Sequence, residues 1–239
     1  MPSVMIELVY SPKWFFGKDI AIDVVSLIVL VLIGLFALKY YSINKKKKSY
    51  FYLALSFFVL GIAFLCKIMT NFTIYYIDTQ IRQVGFLVFT VHTLKSTDVL
   101  FFLGLLLYRV LTLIGLYILY LIYFHNKQPR STTFIIFLLL VLLTYFTLDA
   151  CFVFHLVSFL LLIFITRQYF INYKKNKRGT TKLLAYSFAL IALSQLLFLF
   201  LKMSYVTYVA GEILQLVGYC ILLFTFIMVL NHGKKKKQN

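Results

Sequence analysis

The sequence predicts an all-α integral membrane protein, a seven-helix bundle with its N-terminus outside and its C-terminus inside. Three observations predict it. Hydrophobic residues make up 62% of the chain and charged residues 13%, a balance foreign to soluble globular proteins. Several apolar runs carry at most one charge over the ~18 or more residues that a helix needs to cross the hydrocarbon. Most of the basic residues gather in four short segments without a single acid, at 43–48, 125–133, 167–182 and 232–239.

Those basic segments set the orientation. In a soluble protein a formal charge of +17 would point to nucleic acid. Lysines in short loops between apolar runs are topology signals instead, and they hold their loops in the cytoplasm. Nucleic acid is therefore not an expected partner. The acids (Glu7, Asp19, Asp23, Asp78, Asp98, Asp149 and Glu212) fall outside or in outer helix halves, consistent with that orientation. The expected location is the plasma membrane, with the lipid bilayer as the main partner and anionic lipids as candidate partners of the basic loops.

In chain order, residues 1–18 form an interfacial segment whose Trp14, Phe15 and Phe16 suit the headgroup level. No cleavable signal peptide is expected, because MPSVMIELVY lacks a basic start and a small-residue cleavage site. The first helix covers 19–41 and runs into the first basic block. The second covers 50–69 and carries Lys67 near its far end, where the ammonium is expected to snorkel to the headgroups, as is Lys202 on the sixth helix. Residues 70–96 are half polar and read as an outer re-entrant or surface element. The third helix covers 97–124. The apolar stretch 134–165 would be roughly 48 Å as one helix, too long for one crossing. It divides near Asp149 into a linker helix (134–149) and a fifth helix that ends in the basic segment after Ile165. The sixth covers 182–203 and the seventh 205–231, before the basic tail 232–239.

The chain also repeats itself. YYSINKKKK (40–48) resembles QYFINYKKNK (168–177), ALSF (54–57) resembles AYSF (185–188), and YRVLTLIG (108–115) resembles GEILQLVG (211–218). The matches come in the same order and place helices one to three on helices five to seven. The fourth joins two parallel repeats, 19–124 and 150–231, related by an axis along the membrane normal. The first repeat carries the 70–96 insertion, a natural place for a lid or a plain interfacial loop.

The last match opposes Arg109 to Glu212, Thr112 to Gln215 and Gly115 to Gly218. A charge at the bilayer centre costs about 2.5–3.5 kcal/mol on insertion scales. Arg109 lies roughly 16 Å inside its helix and Glu212 about 10 Å inside its own. Both should face the bundle, and their simplest arrangement is a pair across the pseudo-twofold axis. That pair either fixes helix register or forms a site for a charged ligand or a proton. Asp149 and His155 add to the same outer half, with Cys151 and Ser158 on the histidine's face. Tyr208, Glu212, Gln215 and Tyr219 give the seventh helix a polar stripe. The candidate ligand-binding or proton-coupling residues are Arg109, Thr112, Asp149, His155, Tyr208, Glu212 and Gln215.

No catalytic motif such as HExxH or GxSxG occurs, so no enzyme is expected. His155 is the only histidine well inside a helix, which leaves no three-histidine metal site or bis-histidine haem. No metal or cofactor is expected. Cys66, Cys151 and Cys220 lack metal-ligand spacing and read as small packing residues.

The three-plus-one-plus-three arrangement is similar to the parallel-repeat plan of opsins, related receptors and SWEET-type sugar transporters. The transporters' proline-containing PQ motifs are absent, since the only prolines are Pro2, Pro12 and Pro129. No lysine lies in the middle of the seventh helix, so a retinal Schiff base is not implied. GEILQLVG, with Gly211, Glu212, Gln215 and Gly218, resembles the last helix of seven-helix sensor modules in prokaryotic histidine kinases. With no kinase domain in these 239 residues, that resemblance implies a cytoplasmic effector partner. The first functional reading is a receptor- or sensor-like protein with an outward-facing polar pocket between the repeats. The second is a small-solute or proton-coupled transporter using Glu212, and the third a membrane enzyme without a recognised motif.

Overall fold

The computed structural model describes residues 11–15, 17–43, 45, 48–83, 91–124, 151–201 and 204–235. Six α-helices run through them: α1 (Lys18–Ile43), α2 (Ser49–Gln83), α3 (Val91–Phe124), α4 (Cys151–Asn176), α5 (Gly179–Phe198) and α6 (Tyr205–Lys235). A single 3-10 turn, Lys13–Phe15, precedes the first, and no strand occurs among the described residues. Each helix holds a stretch long and apolar enough to cross a membrane: Lys18–Ile43, Ser49–Asn71, Phe102–Ile122, Phe152–Asn176, Gly179–Phe198 and Tyr205–Val229. The expected linker helix at 134–149 lies outside the described residues, and so do Asp149 and Lys202.

The side chains are arranged inside out relative to a soluble protein. Ile28, Leu35, Ile62, Leu103, Phe152, Leu160, Leu193, Ile213 and Phe224 are exposed, at least one on every helix, whereas Asp19, Asp23, Arg109 and Glu212 are buried. Soluble chains do not leave apolar faces of that extent in water. In hydrocarbon such faces cost nothing and the charges must turn inward. The protein is an integral, multi-pass helical membrane protein.

Local chemistry sets the helix ends. Gly17 takes a left-handed φ of +82° ahead of α1, and Asp19 places a carboxylate in the first turn, where the helix dipole favours it. α4 closes on Lys177, also left-handed at φ 48°, whose N–H donates to the Tyr173 carbonyl at 2.7 Å in a helix-terminating αL cap. Ser204 starts α6, its Oγ accepting from the Val206 N–H at 3.2 Å.

Residues 70–96 differ from expectation. α2 continues to Gln83 and α3 already begins at Val91, so most of the segment is regular helix prolonging two spans. No Gly or Pro interrupts 70–83, and a helix satisfies its own backbone whether or not its side chains are apolar. The polar residues of 70–83 therefore lie on helix that continues α2.

The six helices close into a ring. α1 packs on α2 and α2 on α3; α4 packs on α5 and α5 on α6; α1 meets α6 and α3 meets α4 to complete it. The Tyr40 hydroxyl donates to the Val229 carbonyl at 2.9 Å, so α1 and α6 end together and run parallel. A continuous apolar core that includes Leu30, Ile33, Phe57, Leu162, Ile165, Phe188 and Leu222 fills the middle. Two glycines let the backbone of a neighbouring helix approach closely. A Cβ on Gly115 would lie 2.7 Å from Leu60 Cγ and 3.3 Å from the Ser56 carbonyl oxygen. One on Gly218 would lie 2.6 Å from Ile191 Cγ1 and 3.2 Å from the Ser187 carbonyl oxygen.

Candidate functional site

A buried polar centre occupies the half of the bundle away from the lysine-rich turns, and Lys67 is its hub. The Lys67 Nζ lies 2.7 Å from Asp23 Oδ1 and 2.7 Å from Glu212 Oε1. The three groups come from α2, α1 and α6, so one ammonium ties α1 to α6. Asn71, one turn beyond Lys67 on α2, donates from Nδ2 to Asp23 Oδ2 at 3.3 Å. The Lys67 side chain is 14% exposed, while those of Asp23 and Glu212 are 0% and 2% exposed. Aromatic rings wall the ammonium: it stands 5.6 Å from the Phe64 centroid and 6.0 Å from that of Tyr108.

Sequence spacing explains why these groups converge. On α1, Asp19, Asp23 and Ser26 follow at i, i+4 and i+7, and all three are buried. On α6, Tyr208, Glu212, Gln215 and Tyr219 follow at i, i+4, i+7 and i+11. Such positions share one helix face. Because α1 and α6 run parallel, the two polar stripes meet along their seam.

The expected site residues fall into three groups. Glu212, Gln215 and Tyr208 lie on the α6 stripe. The Gln215 Nε2 donates to the Tyr219 hydroxyl at 3.4 Å, and the Tyr208 ring contacts those of Phe15 and Phe198 at 6.4 and 6.1 Å. His155 sits on α4, with Nδ1 2.9 Å from the Gln195 carboxamide oxygen on α5. Its ring lies 5.1 Å from that of Phe198. Arg109 is fully enclosed on α3, its guanidinium 5.9 Å from the Phe154 ring. Thr112 serves its own helix, donating to the Tyr108 carbonyl at 2.7 Å.

Two corrections follow. The cation on Glu212 is Lys67, whereas the spacing suggested Arg109. Lys67 itself does not snorkel to the headgroups; it turns inward because two desolvated carboxylates outbid the interface for its charge. Sequence reasoning missed Asp23, Lys67, Asn71 and Gln195. The available signal was the acid–acid–hydroxyl stripe on the first helix, which has no purpose on a lipid-facing surface.

The His155–Gln195 contact gives a direct check. Gln195→Leu would strand a buried imidazole N–H, and a lost partner of that kind costs about 1–3 kcal/mol. Thermal unfolding of the purified protein should drop accordingly, and an unchanged midpoint would show that the contact carries no stability. Among the described residues no group of three His, Cys, Asp or Glu side chains is placed to hold a metal ion. No family model, curated protein or solved structure matches the chain.

Proposed function

We propose that the chain is a receptor- or sensor-like seven-helix protein that binds a small ligand or ion in the polar centre between two three-helix repeats. One observation carries this reading: Lys67 is clamped by carboxylates from α1 and α6 inside a membrane-embedded bundle. Intramembrane charges are expensive and mark functional sites by default. A ligand that competes for any member of this clamp alters the α1–α6 seam, and the seam runs to the basic end through Tyr40 and Val229. By the positive-inside rule that end is cytoplasmic, where an effector protein would read the change. On this reading the protein is not an enzyme.

The repeat plan is supported by packing. Ser56 and Ser187 occupy matching positions in ALSF and AYSF, and their carbonyls face Gly115 and Gly218, which also match. Under the same correspondence, the α1–α6 and α3–α4 contacts are equivalent seams.

The test is a ligand screen on purified protein by thermal unfolding, comparing wild type with Glu212→Gln. A ligand present at about 100 times its Kd stabilises the fold by about 2.7 kcal/mol. A shift that depends on Glu212 supports the reading; a wild type blind to every compound class counts against it. Transport is a second reading, favoured by the two seams along which one three-helix unit can rock against the other. Liposome flux separates the two: accumulation of a solute that Glu212→Gln abolishes makes the protein a transporter.

A further inference from the structure

We propose that the ligand of this site is a protonated primary amine and that Lys67 is its tethered competitor. The inference rests on the reading of the polar centre as a binding site. The geometry already shows an alkylammonium bound there, because Lys67 is one. Its Nζ is held 2.7 Å from two carboxylates and stands over the Phe64 and Tyr108 rings. Carboxylates combined with aromatic faces recognise organic ammonium groups. Hard metal ions call instead for six or more converging oxygens.

Both carboxylates lie off α2, on α1 and α6, so a free ammonium would bridge the same seam without Lys67. Lys67 is the most accessible member of the clamp, at 14% exposure. Its four-carbon stem can carry the ammonium out to the headgroups and release both carboxylates.

The site also holds acceptors that Lys67 does not use. Gln215 Oε1 and Ser26 Oγ are buried and make no hydrogen bond among the described residues. Each lies three residues beyond its carboxylate, Gln215 beyond Glu212 on α6 and Ser26 beyond Asp23 on α1. That spacing places them roughly 4.5 Å deeper on the same faces. A second N–H or O–H a few atoms from the ligand's ammonium would reach them. The preferred ligand is therefore a diamine or amino alcohol over a simple alkylamine.

Wild type and Lys67→Met are titrated with n-propylamine and ethylenediamine, with sodium chloride and propanol as matched controls, reading the unfolding midpoint and calorimetric affinity. Both amines are expected to stabilise the wild type, ethylenediamine the more. Lys67→Met should bind about tenfold tighter, because the competing state is gone. Glu212→Gln should lose binding. If Lys67→Met does not fold, Asp23→Asn/Lys67→Met keeps the formal charge of the clamp unchanged and must still bind amine through Glu212. Equal stabilisation by sodium overturns the proposal, as does the absence of any amine effect. If amines fail while another compound class gives a Glu212-dependent shift, the binding-site reading stands and the amine assignment falls. If nothing shifts the protein, both fall.

Discussion

Lys67→Met is expected to cost the fold about 3–5 kcal/mol, the penalty for removing one partner from a buried ion pair. Asp23 and Glu212 would be left facing each other without the ammonium that each meets at 2.7 Å. The measurement is reversible unfolding in mixed micelles at neutral pH. The neutral triple variant Asp23→Asn/Lys67→Met/Glu212→Gln should recover nearly all of the loss, since replacing a whole buried pair by uncharged groups is often neutral. Together the two variants separate the cost of an orphaned charge from the value of the clamp. A single-variant loss under about 1 kcal/mol is the range of exposed pairs, and it would mean that the clamp is not desolvated.

Gly115→Ala and Gly218→Ala should each destabilise by about 1–3 kcal/mol through overpacking. The added methyl meets Leu60 Cγ at 2.7 Å in one case and Ile191 Cγ1 at 2.6 Å in the other, with a backbone carbonyl close behind both. Gly179→Ala is the control, because nothing lies within 4 Å of a Cβ there. The same unfolding assay reads all three. Equal losses at 115 and 218 are what a duplicated helix contact requires. A large loss at one and none at the other would break the correspondence between the repeats.

The helices were legible in the sequence because bilayer thickness imposes a length that apolar runs must meet. The runs at 19–41, 50–69 and 205–231 fall within α1, α2 and α6, each long and apolar enough to cross a membrane. The continuation of α2 to Gln83 was not legible, since hydropathy reports the membrane and says little about helix beyond it. At the site, the burial of Arg109, His155, Glu212 and Gln215 followed from the cost of exposing them to lipid. Their partners did not follow. Lys67 near a span end satisfies headgroup snorkelling and inward pairing equally well by position. Only the placement of α1 beside α6 decides between them, and that is a property of three-dimensional packing.

The clamp also has a history within each molecule's synthesis. Asp23 and Lys67 are 44 residues apart, whereas Lys67 and Glu212 are separated by 145. At about 5–20 residues per second, the ribosome delivers the lysine roughly 2–9 s after the first acid, and the second acid roughly 7–29 s later still. α1 therefore reaches the translocon carrying an acid whose neutralising partner arrives with α2, which favours inserting the two as a hairpin. Until α6 emerges, Lys67 has only one of its two carboxylates. Arrival of Glu212 then fastens α6 to α1 through Lys67, the step that closes the ring.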